Sequence, residues 1–119
     1  MTDFRTLKEW DRAHNLTVAI YRTTQSFPES ELLGLTQQIR LACADIPIKI
    51  AQGSHQEEKE DKLSYLKNAK DSAIAVEYYL LLCYELEYIT ASDYDRLVSS
   101  VVEVKEMLIS FIHRLNPNA

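Results

Sequence analysis

Apolar side chains near the end of the chain recur at alternating steps of four and three residues. This is the spacing of a helix that buries one stripe against other helices. The stripe consists of Tyr94, Leu97, Val101, Val104, Leu108, Phe111 and Leu115. Similar spacing recurs through most of the chain, which holds only two glycines and three prolines in 119 residues. The sequence therefore predicts an all-α fold: an antiparallel, up-down-up-down four-helix bundle that forms one domain over residues 1–119.

Breaks in the apolar pattern divide the chain into four predicted helices. Phe27-Pro28 ends the first helix, because the residue before a proline is pushed out of helical geometry. Ser30 is the predicted N-cap of the second helix, and Pro47 inside that helix predicts a kink rather than a break. The predicted helices span residues 6–26, 31–52, 57–87 and 92–115.

Further positions predict how the later helices begin and end. Gly53 is expected to take a left-handed conformation after the second helix. Ser54 followed by Glu57 matches a capping box for the third helix. For the fourth helix, either Thr90 or Ser92 can be the N-cap.

Charge and cysteine content narrow the class of protein. The formal net charge is −5 and the pI is about 5.1, whereas proteins that bind nucleic acid through its phosphates usually carry a basic excess. Cys43 and Cys83 form no C-x-x-C pair and lie among apolar residues. We expect both to be buried thiols in a reducing compartment, which predicts a cytoplasmic location; the alternative is a disulfide that joins two helices.

A membrane location is not expected. The most apolar run covers residues 73–84, twelve residues interrupted by Glu77, whereas a membrane-spanning helix needs about 20 residues. Residues 1–12 are polar and carry both signs of charge, so we expect no signal peptide.

No group of residues has the spacing of a known catalytic or metal site. Di-iron bundles need two Glu-x-x-His pairs with further carboxylates, and the chain has only the distant echo Asp11-x-x-His14. His55 and His113 lie on other segments. There is no glycine-rich phosphate loop and no cysteine in an electropositive setting. We therefore expect no enzyme activity, no catalytic residue, no metal and no cofactor.

Glu77 stands alone in the apolar half of the third predicted helix. An unpaired carboxylate in a protein core would be costly or would become protonated. One interpretation is a buried polar pair with a structural partner, which could be Arg40, Lys49 or a tyrosine hydroxyl. The other is a polar specificity device in a seam between subunits. The sequence leaves both open.

Apolar residues cover more of the second and third predicted helices than one bundle can bury. An isolated bundle buries one face of each helix, so side chains off that face need another partner. At ~25 cal/mol per Å², burying several of them would favour association before entropic costs. We therefore predict a homo-oligomer with an interface that includes Leu41, Ile48, Ile74, Tyr78, Leu81 and Leu82.

A row of lysines marks the first turns of the third predicted helix. Acidic residues are interleaved with it, which is typical of a solvated mixed-charge face. The alternative is a local nucleic-acid contact. The lysines are Lys59, Lys62, Lys67 and Lys70.

Four blocks of sequence carry a family resemblance. The most specific is F-P-x-x-E-x-x-G-L-T-x-Q-I-R at residues 27–40. The others are D-F-R-x-L-x-x-W at 3–10, I-P-x-x-I-A-x-G at 46–53 and Y-L-x-x-A-x-x-S at 65–72. The chain resembles the 23S rRNA intervening-sequence protein family over nearly its whole length. Where the family usually has serine, asparagine and glutamate, this chain has Asp45, Lys49 and Gln52.

The resemblance implies an up-down-up-down bundle that assembles as a ring-like homopentamer, in a family whose molecular role is not established. It favours a non-enzymatic scaffold or interaction protein with an unknown protein partner. The alternative is a nucleic-acid-binding accessory protein that contacts RNA or DNA through a local basic face, as in retroelement accessory proteins of similar fold.

Overall fold

The computed structural model describes residues 3–118, and this part of the chain is entirely helical apart from its connections. Two short 3-10 turns, Phe4–Thr6 and Glu29–Glu31, precede the first and second long helices. The predicted all-α class with four helices is confirmed. The long helices are α1 (Lys8–Thr24), α2 (Leu35–Ser54), α3 (Lys59–Glu85) and α4 (Ala91–Leu115).

Each helix packs against two of the other three. Helix α1 contacts α2 and α4, and α3 contacts the same two, whereas within residues 3–118 α1 does not contact α3 and α2 does not contact α4. The bundle is 43 Å long and about 22 Å across, which is close to the length of its longest helix. The helices therefore form the four corners of a bundle, whose sides we name α1–α2, α2–α3, α3–α4 and α4–α1.

The core is built from the apolar stripes that the sequence predicts. In α4 it contains Leu97, Val101, Val104 and Leu108, but the last buried position is Ile112. Phe111 and Leu115 of the predicted stripe are only partly buried. An α-helix turns once in 3.6 residues, so a strict 3.5-residue repeat drifts away from the buried face towards the helix end.

The first connection is longer than predicted. Helix α1 ends at Thr24, and α2 begins at Leu35 rather than at residue 31. The predicted cap Ser30 lies in the 3-10 turn, and Glu31 Oε2 accepts a hydrogen bond from Leu35 N at 3.0 Å instead. A carboxylate next to the positive end of α2 stabilises that end by charge as well as by hydrogen bonding.

The glycine expected to end α2 lies inside it. Helix α2 continues through Pro47 and Gly53, and Gly53 does not have a positive φ. Ser54 Oγ donates to the Ala51 carbonyl, and the N-cap of α3 is Glu58 with no side-chain hydrogen bond. The capping-box prediction is therefore wrong, because the Ser54 hydroxyl is already bonded within α2.

Helix α3 ends in a Schellman arrangement. The Tyr88 N–H donates to the Cys83 carbonyl at 2.9 Å and the Glu87 N–H donates to the Tyr84 carbonyl at 3.0 Å. Glu87 has a φ of 63°, the left-handed position that glycine usually occupies. Helix α4 then begins at the Thr90 cap, where Thr90 Oγ1 accepts from the Asp93 N–H at 3.1 Å.

Candidate interaction surface

The α3–α4 side carries an exposed apolar patch. Ile74, Tyr78 and Leu81 retain 49%, 59% and 38% of their accessible surface. They line a groove together with Tyr94 and Val98 of α4. Three large apolar side chains spaced at i, i+4 and i+7 on one helix form a continuous surface, which is what a docking partner needs.

Glu77 lies within this apolar patch and pairs with α4. Lys105 Nζ donates to Glu77 Oε1 at 2.8 Å. Within the subunit the predicted partners Arg40 and Lys49 are wrong, because Glu77 lies on the flank of α3 that contacts α4 rather than α2, and Lys105 takes the place that a tyrosine hydroxyl was also predicted to fill. Both members of the pair are partly exposed, so Glu77 is not the buried carboxylate that the sequence suggested.

Arg40 is held on the opposite, α1–α2 side. Its Nε donates to Thr24 Oγ1 at 2.8 Å and a terminal nitrogen donates to the Tyr21 carbonyl at 3.3 Å. The guanidinium carbon lies 4.7 Å from the centre of the Tyr21 ring. Within the described residues no carboxylate pairs with Arg40. The side chain is partly exposed rather than buried, so the prediction of a buried arginine is corrected to a pre-oriented surface cation.

Apolar side chains surround Arg40. Leu41 is 60% exposed, and Leu32 and Leu33 of the preceding connection are also exposed. Thr36 lines the same groove, and its Oγ1 is buried with no hydrogen-bond partner. The α1–α2 side is therefore a second apolar patch, with a cation near its centre.

The remaining predicted interface residues divide into two groups. Ile48 is exposed on α2, one heptad after Leu41. Leu82 is only partly exposed and packs against the core, so it offers less surface than Ile48, and its place in an interface stays a prediction.

The α2–α3 side carries a group of polar side chains that contact one another. Ser72 Oγ donates to Asp45 Oδ2 at 2.7 Å, and Lys49 Nζ lies 3.4 Å from Asp45 Oδ1. Asp45 therefore links α3 to a lysine one turn further along its own helix. Asp45, Lys49 and Ser72 therefore form one local polar cluster.

On the α4–α1 side, Glu9 is a buried carboxylate that the sequence analysis missed. It is 3% exposed, and Arg114 donates to it at 3.2 Å. One turn further along α1, Arg12 pairs with Glu103 of α4 at 2.9 Å. Glu9 lies one helical turn before Ala13 on the buried stripe of α1. This spacing in the sequence could have predicted that Glu9 is buried.

Comparison with known proteins identifies the family. The family model described as 23S rRNA-intervening sequence protein matches residues 5–110. This chain belongs to that family. A crystal structure of a protein with unknown function from the S23 ribosomal protein family of Bacteroides thetaiotaomicron is similar, with a TM-score of 0.81 and 25% identity. The match covers 87% of this chain and 94% of that one. No curated protein matches.

The four lysines of this family member do not form a single stripe. With 3.6 residues per turn, Lys59, Lys67 and Lys70 fall within about 80° of one another on α3. Lys62 projects elsewhere and lines a small pocket beside α2. Glu60, seven residues before Lys67, projects from the same flank as that lysine. The basic flank is therefore smaller than predicted and mixed in charge.

Cys43 and Cys83 are both buried, and neither forms a disulfide. Burial raises the pKa of Cys43 to about 12 and the pKa of Cys83 to about 11. Both thiols therefore stay protonated at neutral pH, and a buried protonated thiol is a poor nucleophile.

Residues 3–118 contain neither a metal-binding cluster nor a membrane-spanning helix. No group of three or more His, Cys, Asp or Glu side chains has the geometry to hold a metal ion. None of the helices there is both long and apolar enough to cross a membrane.

Proposed function

We propose that this family member is a non-enzymatic interaction protein that works as a homo-oligomer. The observation that carries the proposal is the presence of two exposed apolar patches, one around Leu41 of α2 and one around Tyr78 of α3. A monomer rarely leaves contiguous apolar patches of this kind in water. Burying a half-exposed leucine or isoleucine contributes roughly 1 kcal/mol, so several of them together can offset much of the cost of association.

We further propose the antiparallel, up-down-up-down topology for the subunit. Support comes from the contacts between neighbouring helices, in which residues later in one helix contact residues earlier in the next, as antiparallel helices require. Thr17 donates to the Cys43 carbonyl at 3.3 Å, and Thr24 accepts from Arg40 further along α1. The other three helix pairs follow the same order. Between α2 and α3, Gln38 contacts Tyr79 and Asp45 contacts Ser72. Between α3 and α4 the contacts are Glu77 with Lys105 and Tyr84 with Tyr94, and between α1 and α4 they are Glu9 with Arg114 and Arg12 with Glu103.

The pentamer is the proposed assembly, and for the subunit count the support is the family resemblance. A cytoplasmic location is proposed with it, because free buried thiols suit a reducing compartment. The physiological partner of the assembly would be another protein that binds a face left open by the ring.

The experiment that tests the proposal is the native mass by light scattering at micromolar concentration. The wild-type chain is expected to form an assembly well above the subunit mass of 13.7 kDa. Leu41→Glu places a charge on the exposed face and is expected to lower that mass. The matched control is Leu86→Glu, which changes an exposed leucine in the α3–α4 connection and is expected to leave the mass unchanged. A monomeric wild-type chain would refute the proposal.

Nucleic-acid binding is the second candidate, and the lysine flank of α3 is its support. Symmetry in an oligomer could bring several copies of Lys59, Lys67 and Lys70 together, although the net charge is −5. Titration with structured RNA and single-stranded DNA at two salt concentrations tests it. Binding that weakens with added salt and with Lys67→Glu would support this candidate, since phosphate contacts are salt-dependent. Absence of binding at low salt would refute nucleic-acid binding and leave the interaction protein as the proposed function.

A further inference from the structure

We propose that Arg40 of one copy pairs with Glu77 of the next, so that the α1–α2 side of each subunit docks on the α3–α4 side of its neighbour. The inference rests on the homo-oligomer and the topology proposed above. It deepens them by naming the two faces and the ion pair at their centre.

The two residues lie on opposite sides of the bundle. Arg40 contacts α1 through Thr24, so it lies on the α1–α2 side. Glu77 contacts α4 through Lys105, so it lies on the α3–α4 side. Because the helices contact one another only in the cyclic order α1, α2, α3, α4 within the described residues, these two sides face away from each other. Residues on them cannot pair within one subunit.

The two residues also lie at the same level along the bundle. Across the α2–α3 side, Ser72 bonds Asp45 and Tyr79 bonds Gln38. Numbers on α2 therefore fall as numbers on α3 rise, and both contacts give the same register. In that register Arg40, two residues after Gln38, is level with Glu77, two residues before Tyr79. Subunits standing side by side with parallel axes would bring the two charges to the same height.

Both charges have unused bonding capacity. The Arg40 guanidinium has five N–H groups, and it uses two of them, on Thr24 and on the Tyr21 carbonyl. Glu77 accepts from Lys105 at Oε1, which leaves Oε2 for a second donor. A guanidinium already fixed in orientation loses little conformational entropy when it binds a carboxylate. The expected arrangement places the Glu77 carboxylate between Lys105 of its own subunit and Arg40 of the neighbour.

The surroundings of the two charges are complementary as well. Arg40 is flanked by exposed Leu33 and Leu41, and Glu77 is flanked by exposed Ile74 and Leu81. Joining these patches would remove apolar surface from water around an ion pair, which raises the strength of that pair. The fit between two faces of the same chain selects a second copy as the occupant. A contact between two different faces is head-to-tail, which generates a ring when the rotation closes.

Charge exchange provides the first test. Arg40→Glu and Glu77→Arg are each expected to raise the subunit dissociation constant by about 100-fold. The double variant Arg40→Glu/Glu77→Arg restores opposite charges between positions 40 and 77 and is expected to recover part of the native mass, because position 77 still faces Lys105 of its own subunit. The matched control is Arg12→Glu, which reverses an exposed arginine on the α4–α1 side and is expected to leave the mass unchanged. Helical content by circular dichroism confirms that each variant folds.

A conservative variant provides a second test that does not depend on disruption. Arg40→Lys keeps the charge and allows a carbodiimide to join it to a neighbouring carboxylate. Mixed ¹⁴N and ¹⁵N copies are expected to give a hybrid-mass peptide linking positions 40 and 77. The link between Lys105 and Glu77, whose atoms are 2.8 Å apart, is the internal reference. The hybrid link is expected to disappear with Glu77→Gln.

The outcomes separate this inference from the proposed function. A monomeric wild-type chain would overturn both. An oligomeric wild-type chain whose mass is unaffected by the single variants, or not recovered by the double variant, would overturn only the Arg40–Glu77 contact. A cross-link between Lys105 and Glu77 without the hybrid-mass link between positions 40 and 77 would also overturn only the Arg40–Glu77 contact.

Discussion

Gly53 of α2 packs directly against Tyr65 of α3. A Cβ built on Gly53 would stand 3.1 Å from Tyr65 Cβ and 3.6 Å from the Lys62 carbonyl oxygen. A side-chain Cβ moves only when the backbone moves, so this close approach fixes how near the end of α2 lies to the beginning of α3. Gly53 is therefore required for helix packing and not for a left-handed turn.

We expect Gly53→Ala to destabilise the protein. Alanine favours the helix by about 1 kcal/mol over glycine, but an added methyl group at 3.1 Å causes overpacking that costs about 1–3 kcal/mol. The net result should be a lower free energy of unfolding in urea, by about 1 kcal/mol. The control is Gln52→Ala, which changes the exposed neighbour and should stay within about 0.5 kcal/mol of wild type. A Gly53→Ala variant more stable than wild type would contradict the packing argument.

Glu87→Gly is expected to stabilise the protein. Glu87 has a φ of 63°, and the left-handed conformation costs a residue with a Cβ about 1–2 kcal/mol. Glycine removes that cost, although it also increases the entropy of the unfolded chain. We expect a net gain of about 0.5–1 kcal/mol in the free energy of unfolding, measured by urea denaturation.

The matched control for this gain is Glu85→Gly. Glu85 is the last residue of α3, so the substitution removes the same carboxylate near the same helix end. Glycine inside a helix costs up to about 1 kcal/mol. Opposite signs for the two variants would show that the backbone at Glu87, and not the lost charge, is responsible. Equal effects would refute this explanation.

The apolar repeats were sufficient to predict four helices and most of the core, because burial in a bundle follows the helical period. The same period places Glu9 on the buried stripe with Ala13 and Leu16. The residue type alone would not predict this burial, since carboxylates usually lie on the surface. The role of Gly53 could not be predicted. Its reason is a distance to Tyr65 in another helix, and no local pattern encodes that distance.

The partner of Glu77 could not be predicted from the sequence either. Arg40, Lys49 and Lys105 are all cations on helices that contact α3, and their chemistry does not rank them. The choice depends on the flank of α3 from which Glu77 projects, and a shift of one residue in the packing register would change it. Exposure of Leu41 and Ile74 was predictable, since both lie off the buried stripes. Leu82 lies off the buried stripe as well, but it is partly covered by packing against the core, which the helical period alone does not predict.

Thr90→Ala is expected to lower stability by about 1 kcal/mol. Thr90 Oγ1 accepts the hydrogen bond from the Asp93 N–H at 3.1 Å, and no other side chain within the described residues caps α4. The control is Ser92→Ala, the alternative cap suggested by the sequence. Ser92 lies within α4, so its hydroxyl should contribute less than about 0.5 kcal/mol. Thermal denaturation of both variants checks the prediction, and equal losses would show that the cap is shared.

Stability is expected to fall as the pH rises above about 9, and Cys43 should account for part of the loss. Burial raises the pKa of Cys43 from 9.0 to about 12. Between these values the unfolded chain has released the thiol proton while the folded chain retains it. The unfolded state therefore binds fewer protons, and a rise in pH favours unfolding by up to about 1.4 kcal/mol per pH unit.

The measurement is the free energy of unfolding by urea at several pH values between 8 and about 11, where both thiols begin to titrate. Cys43→Ala should be less stable at pH 8, because it leaves a small cavity, but its stability should fall less steeply above pH 9. Cys83→Ala is the matched control. The pKa of Cys83 is raised only to about 11, so this variant should flatten the curve over a narrower range. Identical slopes for wild type and Cys43→Ala would show that the folded chain exposes this thiol before it unfolds.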